Sequence, residues 1–207
     1  MRFSATKIGV EIMYKRMKKR LACCAMLCIL LSLVVNSTLA YFTAEDTARN
    51  VITSGGIDVQ VVEKQLVGGA LENYPDTPVS IMPGSAVSKI VSVKNLDGPA
   101  WVRMAYTVTI RDANGKTVGL SAQQRDQIIT IDTDPANWTY KSGWWYCKKA
   151  LATGEESKPL FTEVTFSGSE MGNAYQNCTV LIDVTAQAVQ KVNNGNTVLD
   201  AAGWPMG

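Results

Sequence analysis

The densest group of side chains that could bind a ligand is aromatic and lies in the stretch WTYKSGWWY, residues 138–146. Its five aromatic residues are Trp138, Tyr140, Trp144, Trp145 and Tyr146. Aromatic rings presented on a sheet can stack against sugars or nucleic-acid bases. Core packing is the first interpretation of this cluster. A ligand-binding surface and a contact between subunits are the alternatives.

The absence of histidine restricts the catalytic chemistry of the chain. Histidine is the commonest general base and the commonest metal ligand, and none occurs among the 207 residues. A serine–histidine or cysteine–histidine nucleophile therefore cannot be assembled, and the H-E-x-x-H zinc motif is missing. We expect no enzymatic activity, no cofactor and no catalytic metal.

Two acidic stretches contain oxygen ligands but lack the pattern of a metal site. DTDPAN offers Asp132, Asp134 and Asn137, whereas a calcium loop has more oxygen ligands and a glycine at its sixth position. Glu155 and Glu156 lie in the turn-like stretch ATGEESKP. We interpret both stretches as polar loops, with weak calcium binding at the first as the alternative.

The elements that would position these side chains are β-strands. Eight segments show the alternation or the β-branched content that is typical of strands, and turn signals such as Pro83-Gly84 separate them. The segments are 56–63, 88–95, 100–112, 126–132, 136–142, 143–149, 160–166 and 178–189. They predict an all-β protein of about eight to nine strands, either a β-sandwich or a jelly roll, preceded by an N-terminal signal-peptide helix.

Shorter features are predicted between the strands. Helix candidates are SAQQRDQ (121–127) and the tail AQAVQKVNNG (186–195). The stretch DANGKT (112–117) predicts a hairpin turn, and its Asn114-Gly115 pair favours the type I′ turn with two positive φ angles.

The N-terminal segment has the parts of a secretory signal peptide. Basic residues in 14–20 precede an apolar run of 15 residues (21–35) and the small-residue exit NSTLA (36–40). We predict cleavage between Ala40 and Tyr41, so that residues 1–40 are the signal peptide. A retained membrane anchor is the alternative, although a spanning helix needs about 20 apolar residues.

Net charge argues against a nucleic-acid partner once the signal peptide is set aside. Residues 1–40 hold seven of the 20 basic residues and one of the 18 acidic residues. The remainder carries 13 basic and 17 acidic residues, a net charge of −4, whereas nucleic-acid binding requires a basic face. We expect membrane contact only through the signal peptide before its cleavage.

Two cysteines, Cys147 and Cys178, lie beyond the signal peptide. In an oxidising compartment they predict one disulfide, which would close a loop of about 30 residues and stabilise the fold by about 3–4 kcal/mol. Two free, buried thiols are the alternative.

Four segments together resemble the TasA/camelysin family of secreted proteins from Gram-positive bacteria. The first is TLAYFTAEDTARNVITSGGIDVQV, which is similar to the processing site and mature start of that family. The others are IMPGSAVSKIVSVKNLDGPAWVRM, GWWYCKKALATGEESKPLFTEVTF and CTVLIDVTAQAVQ. Together the four segments span most of residues 38–190, and their order and spacing along the chain carry the resemblance.

The resemblance implies a jelly-roll subunit of a biofilm matrix fibre, located in the extracellular matrix or at the cell surface. It implies processing by a SipW-type signal peptidase and self-assembly into a homopolymer. Residues 41–54 would then be a donor strand that pairs with the next subunit, and 55–207 would form the jelly-roll domain. The apolar residues of the implied donor strand are Tyr41, Phe42, Ala44, Ala48, Val51 and Ile52.

Two other functions remain open. A monomeric surface adhesin or glycan-binding module would use the aromatic cluster of residues 138–146. Camelysins are also classed as metalloproteases, but the absence of histidine argues against a zinc site in this chain.

Overall fold

The computed structural model describes residues 42–45, 52–53, 57–75, 79–172, 175 and 177–205. These residues form twelve strands and one short helix. The strands are β1 (Phe42–Glu45), β2 (Ile52–Thr53), β3 (Val59–Val67), β4 (Ala70–Asn73), β5 (Val79–Ile81), β6 (Ala86–Asn95), β7 (Ala100–Arg111), β8 (Ile129–Ile131), β9 (Trp138–Lys141), β10 (Trp144–Cys147), β11 (Phe161–Phe166) and β12 (Thr179–Gln190), and the helix is α1 (Ala122–Ile128). The predicted signal-peptide helix in residues 1–40 lies outside the described residues.

The strands form two sheets that pack against each other. The first sheet has the order β5-β1-β12-β7-β10-β9, with β2 also paired to β12, and the second has the order β4-β3-β6-β11-β8. Neighbours are antiparallel except that β1 and β2 run parallel to β12. Successive strands from β5 to β8 belong alternately to the first and the second sheet, and the same is true of β10, β11 and β12. The predicted all-β sandwich is confirmed.

The strand number exceeds the predicted eight to nine because four short strands lack a strong periodic pattern. The eight predicted segments coincide with β3, β6, β7, β8, β9, β10, β11 and β12. The additional strands are β4, β5, and β1 and β2 of the N-terminal segment. The prediction of a helix in residues 186–195 is wrong, because β12 continues to Gln190, which pairs with Ala100 of β7.

One apolar core lies between the sheets. Alternate residues of β7, including Met104, face the second sheet, where Val91, Val93 and Phe161 are buried. The rings of Tyr106 and Phe161 meet edge to face, with centroids 5.6 Å apart. Such apolar contacts supply the main driving force for folding.

The first half of β7 is buried on both faces because residues 191–205, the C-terminal segment, cover the outer face of the first sheet. The indole of Trp101 donates a hydrogen bond to the carbonyl of Asn194 at 2.9 Å. Trp101 also packs with Val189, Tyr146 and Val198 in a buried cluster on this outer face. The first sheet is therefore covered on both sides at this point.

Local sequence signals define the helix and two turns. Ser121 caps α1 by accepting a hydrogen bond from the Gln124 amide, and the Gln124 side chain accepts one from the Ser121 amide. The predicted hairpin turn at 112–117 is present, since the Gly115 amide donates to the Asp112 carbonyl. It is not type I′, because Gly115 has a positive φ whereas Asn114 does not. Asp112 instead stabilises the turn by accepting from the Asn114 amide.

Candidate functional site

The five aromatic residues of 138–146 lie on one β-hairpin, which divides them between two faces. Strands β9 and β10 are joined by Ser142 and Gly143, both with positive φ, as a two-residue type I′ turn requires. In the resulting register Trp145 lies opposite Tyr140. Because side chains alternate along a strand, Trp144 must lie on the opposite face from Trp145. The predicted single aromatic surface is therefore two separate groups.

Two of the five aromatic residues are structural. Trp138 is 1% exposed, and its indole N–H lies within hydrogen-bond distance of the carbonyls of Lys158 and Pro159. Tyr146 is buried in the outer-face cluster. The interpretation as core packing is correct for these two residues.

Trp144 and Tyr146 pack around a buried arginine on the outer face of the first sheet. The Cζ atom of Arg103 lies 4.3 Å from the ring centroid of Trp144 and 4.7 Å from that of Trp204. Arg103 also donates hydrogen bonds to Gln187 Oε1 at 2.9 and 2.6 Å and to the Tyr146 hydroxyl at 3.0 Å. This arrangement attaches the C-terminal segment to the sheet, and no local sequence pattern indicates it.

The remaining pair, Tyr140 and Trp145, forms one wall of a cavity at the margin of the sandwich. The ring centroids are 5.0 Å apart and the planes are tilted by 50°. The cavity has a volume of about 390 Å³, and its opposite wall is formed by β8 and the end of α1. Tyr106 and Val108 of β7 line its inner end. Of the predicted aromatic surface, this pair alone faces the cavity.

One ion pair supplies the charged groups of the cavity. Arg125 donates two hydrogen bonds to Asp126 Oδ1, at 3.2 and 3.1 Å. Burial raises the pKa of the Tyr106 phenol, and the negative charge of Asp126 adds to that effect. Tyr106 therefore stays protonated at neutral pH. No sequence motif surrounds Arg125 and Asp126, so the sequence alone does not identify them as site residues.

The predicted disulfide between Cys147 and Cys178 is wrong, because both are free, buried thiols. Cys147 follows Tyr146, which pairs with Arg103 of β7, whereas Cys178 precedes Thr179, which pairs with Arg111. Eight residues of β7 separate these two positions, about 27 Å at ~3.4 Å per residue. A disulfide needs Cα atoms within about 7 Å. Burial raises the pKa of both thiols.

The acidic stretches hold the protein's own loops together. Asp132 Oδ1 accepts hydrogen bonds from the amides of Thr162 and Glu163, at 2.8 and 2.7 Å. Asp134 accepts from the Asn137 side chain at 2.6 Å, and this bond is the main cause of its lowered pKa. Within the described ranges, no group of three or more metal-ligating side chains could hold an ion.

The acidic pair at 155–156 also contacts neighbouring side chains. Glu155 forms an ion pair with Lys149, which lowers the pKa of the carboxyl. Glu156 accepts a hydrogen bond from Ser92 and pairs with Lys64 at 3.4 Å. Both side chains contribute to loop structure, as their position in a polar, turn-like stretch predicts.

The described part of the implied donor strand pairs within its own domain. Phe42 and Ala44 lie in β1, and Ile52 lies in β2. Thr43 of β1 is paired on one side with Thr179 of β12 and on the other with Ser80 of β5. The remaining residues of the predicted cleavage site and donor strand lie outside the described residues: Ala40, Tyr41, Ala48 and Val51.

Comparison of the chain with models of protein families, with curated proteins and with solved structures finds no match. No helix in the described part of the chain has the length and apolar character needed to cross a membrane.

Proposed function

We propose that this protein is a secreted structural subunit of an extracellular-matrix fibre, assembled by donor-strand complementation. In this proposal a SipW-type signal peptidase cleaves between Ala40 and Tyr41, and the released segment 41–54 pairs with the next subunit. The resemblance of four segments to the TasA/camelysin family motivates the secretion and matrix parts of the proposal. The structural support comes from the position of β1.

Strand β1 lies between two strands from distant parts of the chain. Its residues pair with β12 in parallel, as in Ala44 with Val180, and with β5 in antiparallel, as in Ala44 with Val79. Without β1, an edge of β12 and an edge of β5 would both have unpaired backbone groups. Such edges can pair with another chain. An extended segment with the sequence of β1 would restore both sets of hydrogen bonds.

Strands β1 and β2 lie along the same edge of β12 in the same direction. From Glu45 to Ile52 the chain advances seven residues, while β12 advances six residues between their partners Leu181 and Gln187. Strands β1 and β2 therefore pair near opposite ends of β12. This placement suits a segment that supplies main-chain hydrogen bonds to a groove, which is the physical basis of β-augmentation.

Exchange of this segment between copies would replace each contact by an identical one. The hydrogen bonds and the groove are the same whether the strand comes from its own domain or from a neighbour, as in domain swapping. Because each subunit both donates and accepts a strand, the contact is head-to-tail, and such contacts build a filament when the rotation between neighbouring subunits does not close a ring.

A truncation and a matched pair of point variants test the proposal. The secreted protein is first sequenced from its N-terminus, where Tyr41 is the expected first residue, and then imaged by electron microscopy. A protein that begins at Gly55 should form no fibres. Thr43→Pro should also prevent fibre formation, because proline removes a backbone donor at a position paired on both sides. Thr43→Ala, which keeps that donor, should form fibres.

Circular dichroism of each variant establishes that the sandwich is still folded. Fibres of unchanged appearance from the folded protein that begins at Gly55 would refute donor-strand assembly. A mature protein that remains monomeric at all concentrations would refute the fibre function itself.

A further inference from the structure

The cavity lined by Tyr140 and Trp145 lies where the two sheets separate. The edge strand β9 and its neighbour β10 belong to the first sheet, and the edge strand β8 belongs to the second. All three residues of β8 line the cavity, together with Tyr106 and Val108 of β7. The apolar core therefore extends into a chamber at the margin of the sandwich. This chamber is distinct from the groove beside β12 that the proposed function uses.

We propose that this cavity is a binding site for a neutral saccharide of one or two sugar rings. The inference does not depend on fibre formation. It rests on three features of the lining: an aromatic wall, a balanced pair of charges, and a volume suited to a small ligand.

The aromatic wall provides the apolar face that a sugar ring needs. One face of a pyranose carries C–H groups, which pack against the negatively polarised face of an aromatic ring. Trp145 is half-buried, and its ring contacts that of Tyr140, which is 59% exposed. An exposed tyrosine near a hairpin tip, packed against a half-buried tryptophan, gives an aromatic platform that a ligand can reach.

The Arg125–Asp126 pair provides hydrogen-bonding groups for hydroxyls. Both hydrogen bonds within the pair use Asp126 Oδ1, and Asp126 Oδ2 and Arg125 Nη1 have no hydrogen-bond partner among the described residues. A free carboxylate oxygen accepts from one hydroxyl, and a free guanidinium N–H donates to its neighbour. Hydrogen bonds to charged groups are about twice as strong as neutral ones.

The charge and the size of the cavity restrict the ligand class. Arg125 and Asp126 are the charged residues of its lining, so the lining has no net charge and favours neither an anion nor a cation. The volume of about 390 Å³ lies near the lower end of the range of about 300–1,000 Å³ for small-molecule sites. One or two sugar rings fit this space, and the mixed lining suits them better than a purely apolar chain.

The test is an NMR titration of the full protein with named neutral sugars. The probes are cellobiose, maltose, lactose and diacetylchitobiose, each raised to about 10 mM, a range that detects weak binding with Kd near 1 mM. Octanoate serves as the apolar, anionic comparison. The protein contains five tryptophans, so five indole N–H signals are expected, and Trp145→Phe identifies the one that matters. At least one sugar should shift the Trp145 signal.

Adjacent tryptophans provide a matched pair of variants. Trp145→Leu should weaken sugar binding about tenfold, because the indole ring is lost while the site stays apolar. Trp144→Leu changes the neighbouring residue on the opposite face and should leave the affinity within about twofold. Asp126→Asn keeps the shape of an exposed side chain but removes its charge, and it should weaken binding about tenfold.

The spectrum of each variant shows whether the sandwich has folded. Absence of a Trp145 shift with every sugar would overturn the proposal, as would equal affinities of the Trp145→Leu and Trp144→Leu variants. Binding of octanoate alone would assign the cavity to apolar ligands and would also overturn it.

Discussion

Replacement of Arg103 by alanine should weaken the attachment of the C-terminal segment to the first sheet. Arg103 is 8% exposed and lies between the rings of Trp144 and Trp204. It also donates to the carbonyl of Pro205 at 3.0 Å, so one guanidinium contacts β10, β12 and the C-terminal segment.

The expected loss of stability has two parts. The Gln187 side chain loses its hydrogen-bond donor, and the rings of Trp144 and Trp204 lose the cation stacked on them. Gln187 is 1% exposed, and its Oε1 would lose both hydrogen bonds from Arg103, at a cost of about 1–3 kcal/mol. Loss of the stacked cation costs up to about 2 kcal/mol at a desolvated site. We expect a total destabilisation of about 1–5 kcal/mol. For a domain of this size the melting temperature should fall by about 2–4 °C for each kcal/mol lost.

Urea denaturation followed by circular dichroism measures this change, and a double-mutant cycle separates its causes. Arg103→Met alone leaves Gln187 without a partner, whereas Arg103→Met with Gln187→Met removes both polar groups. The double variant should be less destabilised than the sum of the two single variants by about 1–3 kcal/mol. Arg103→Lys, which keeps the charge but loses the planar fork, should recover only part of the stability.

Strictly additive effects of the two Met substitutions would refute the claim that the hydrogen bonds to Gln187 matter. A loss below about 1 kcal/mol for Arg103→Ala would refute the whole assignment, since that range is typical of exposed sites.

Three further predictions concern backbone, thiols and helix. Gly195→Ala should destabilise the protein by about 1–2 kcal/mol in thermal denaturation, because Gly195 has φ +75° and a Cβ there would lie 2.9 Å from backbone. Gly119 lies in open space, so Gly119→Ala is the control and should leave the stability unchanged. Cys147 and Cys178 should react with a thiol reagent at pH 8 only after urea unfolding, and fast reaction in the native state would contradict their burial and raised pKa values. Ser121→Ala should cost about 1 kcal/mol in the same denaturation assay, and an unchanged midpoint would contradict its capping role.

The strands could be predicted from the sequence because their side-chain pattern is local. In β7, Val102 and Met104 alternate with Arg103 in the expected way, and the strand begins at the predicted residue. The same pattern leads to an incomplete conclusion about Arg103, since an arginine between apolar residues is typical of a solvent-exposed face. Its burial depends on Trp204, about one hundred residues later, and a local pattern contains no information about that contact.

For the cavity, too, a local sequence pattern predicts only part of the lining. Ser142-Gly143 between two aromatic strands is a usable signal, since a two-residue turn places Tyr140 opposite Trp145. That register alone divides the aromatic cluster into its two faces. The contribution of Arg125 from α1 cannot be found this way, because it depends on how the second sheet lies against the first.

The parallel alignment of β1 with β12 has a mechanical consequence. A force applied to the chain on the N-terminal side of Phe42, directed along the axis of β12, would load the hydrogen bonds between β1 and β12 in shear. In that geometry the hydrogen bonds between β12 and the paired stretch from Thr43 to Glu45 share the force and must fail together. A strand pulled sideways would instead unzip one bond at a time. The N-terminal junction therefore has its greatest resistance to tension along the strand direction.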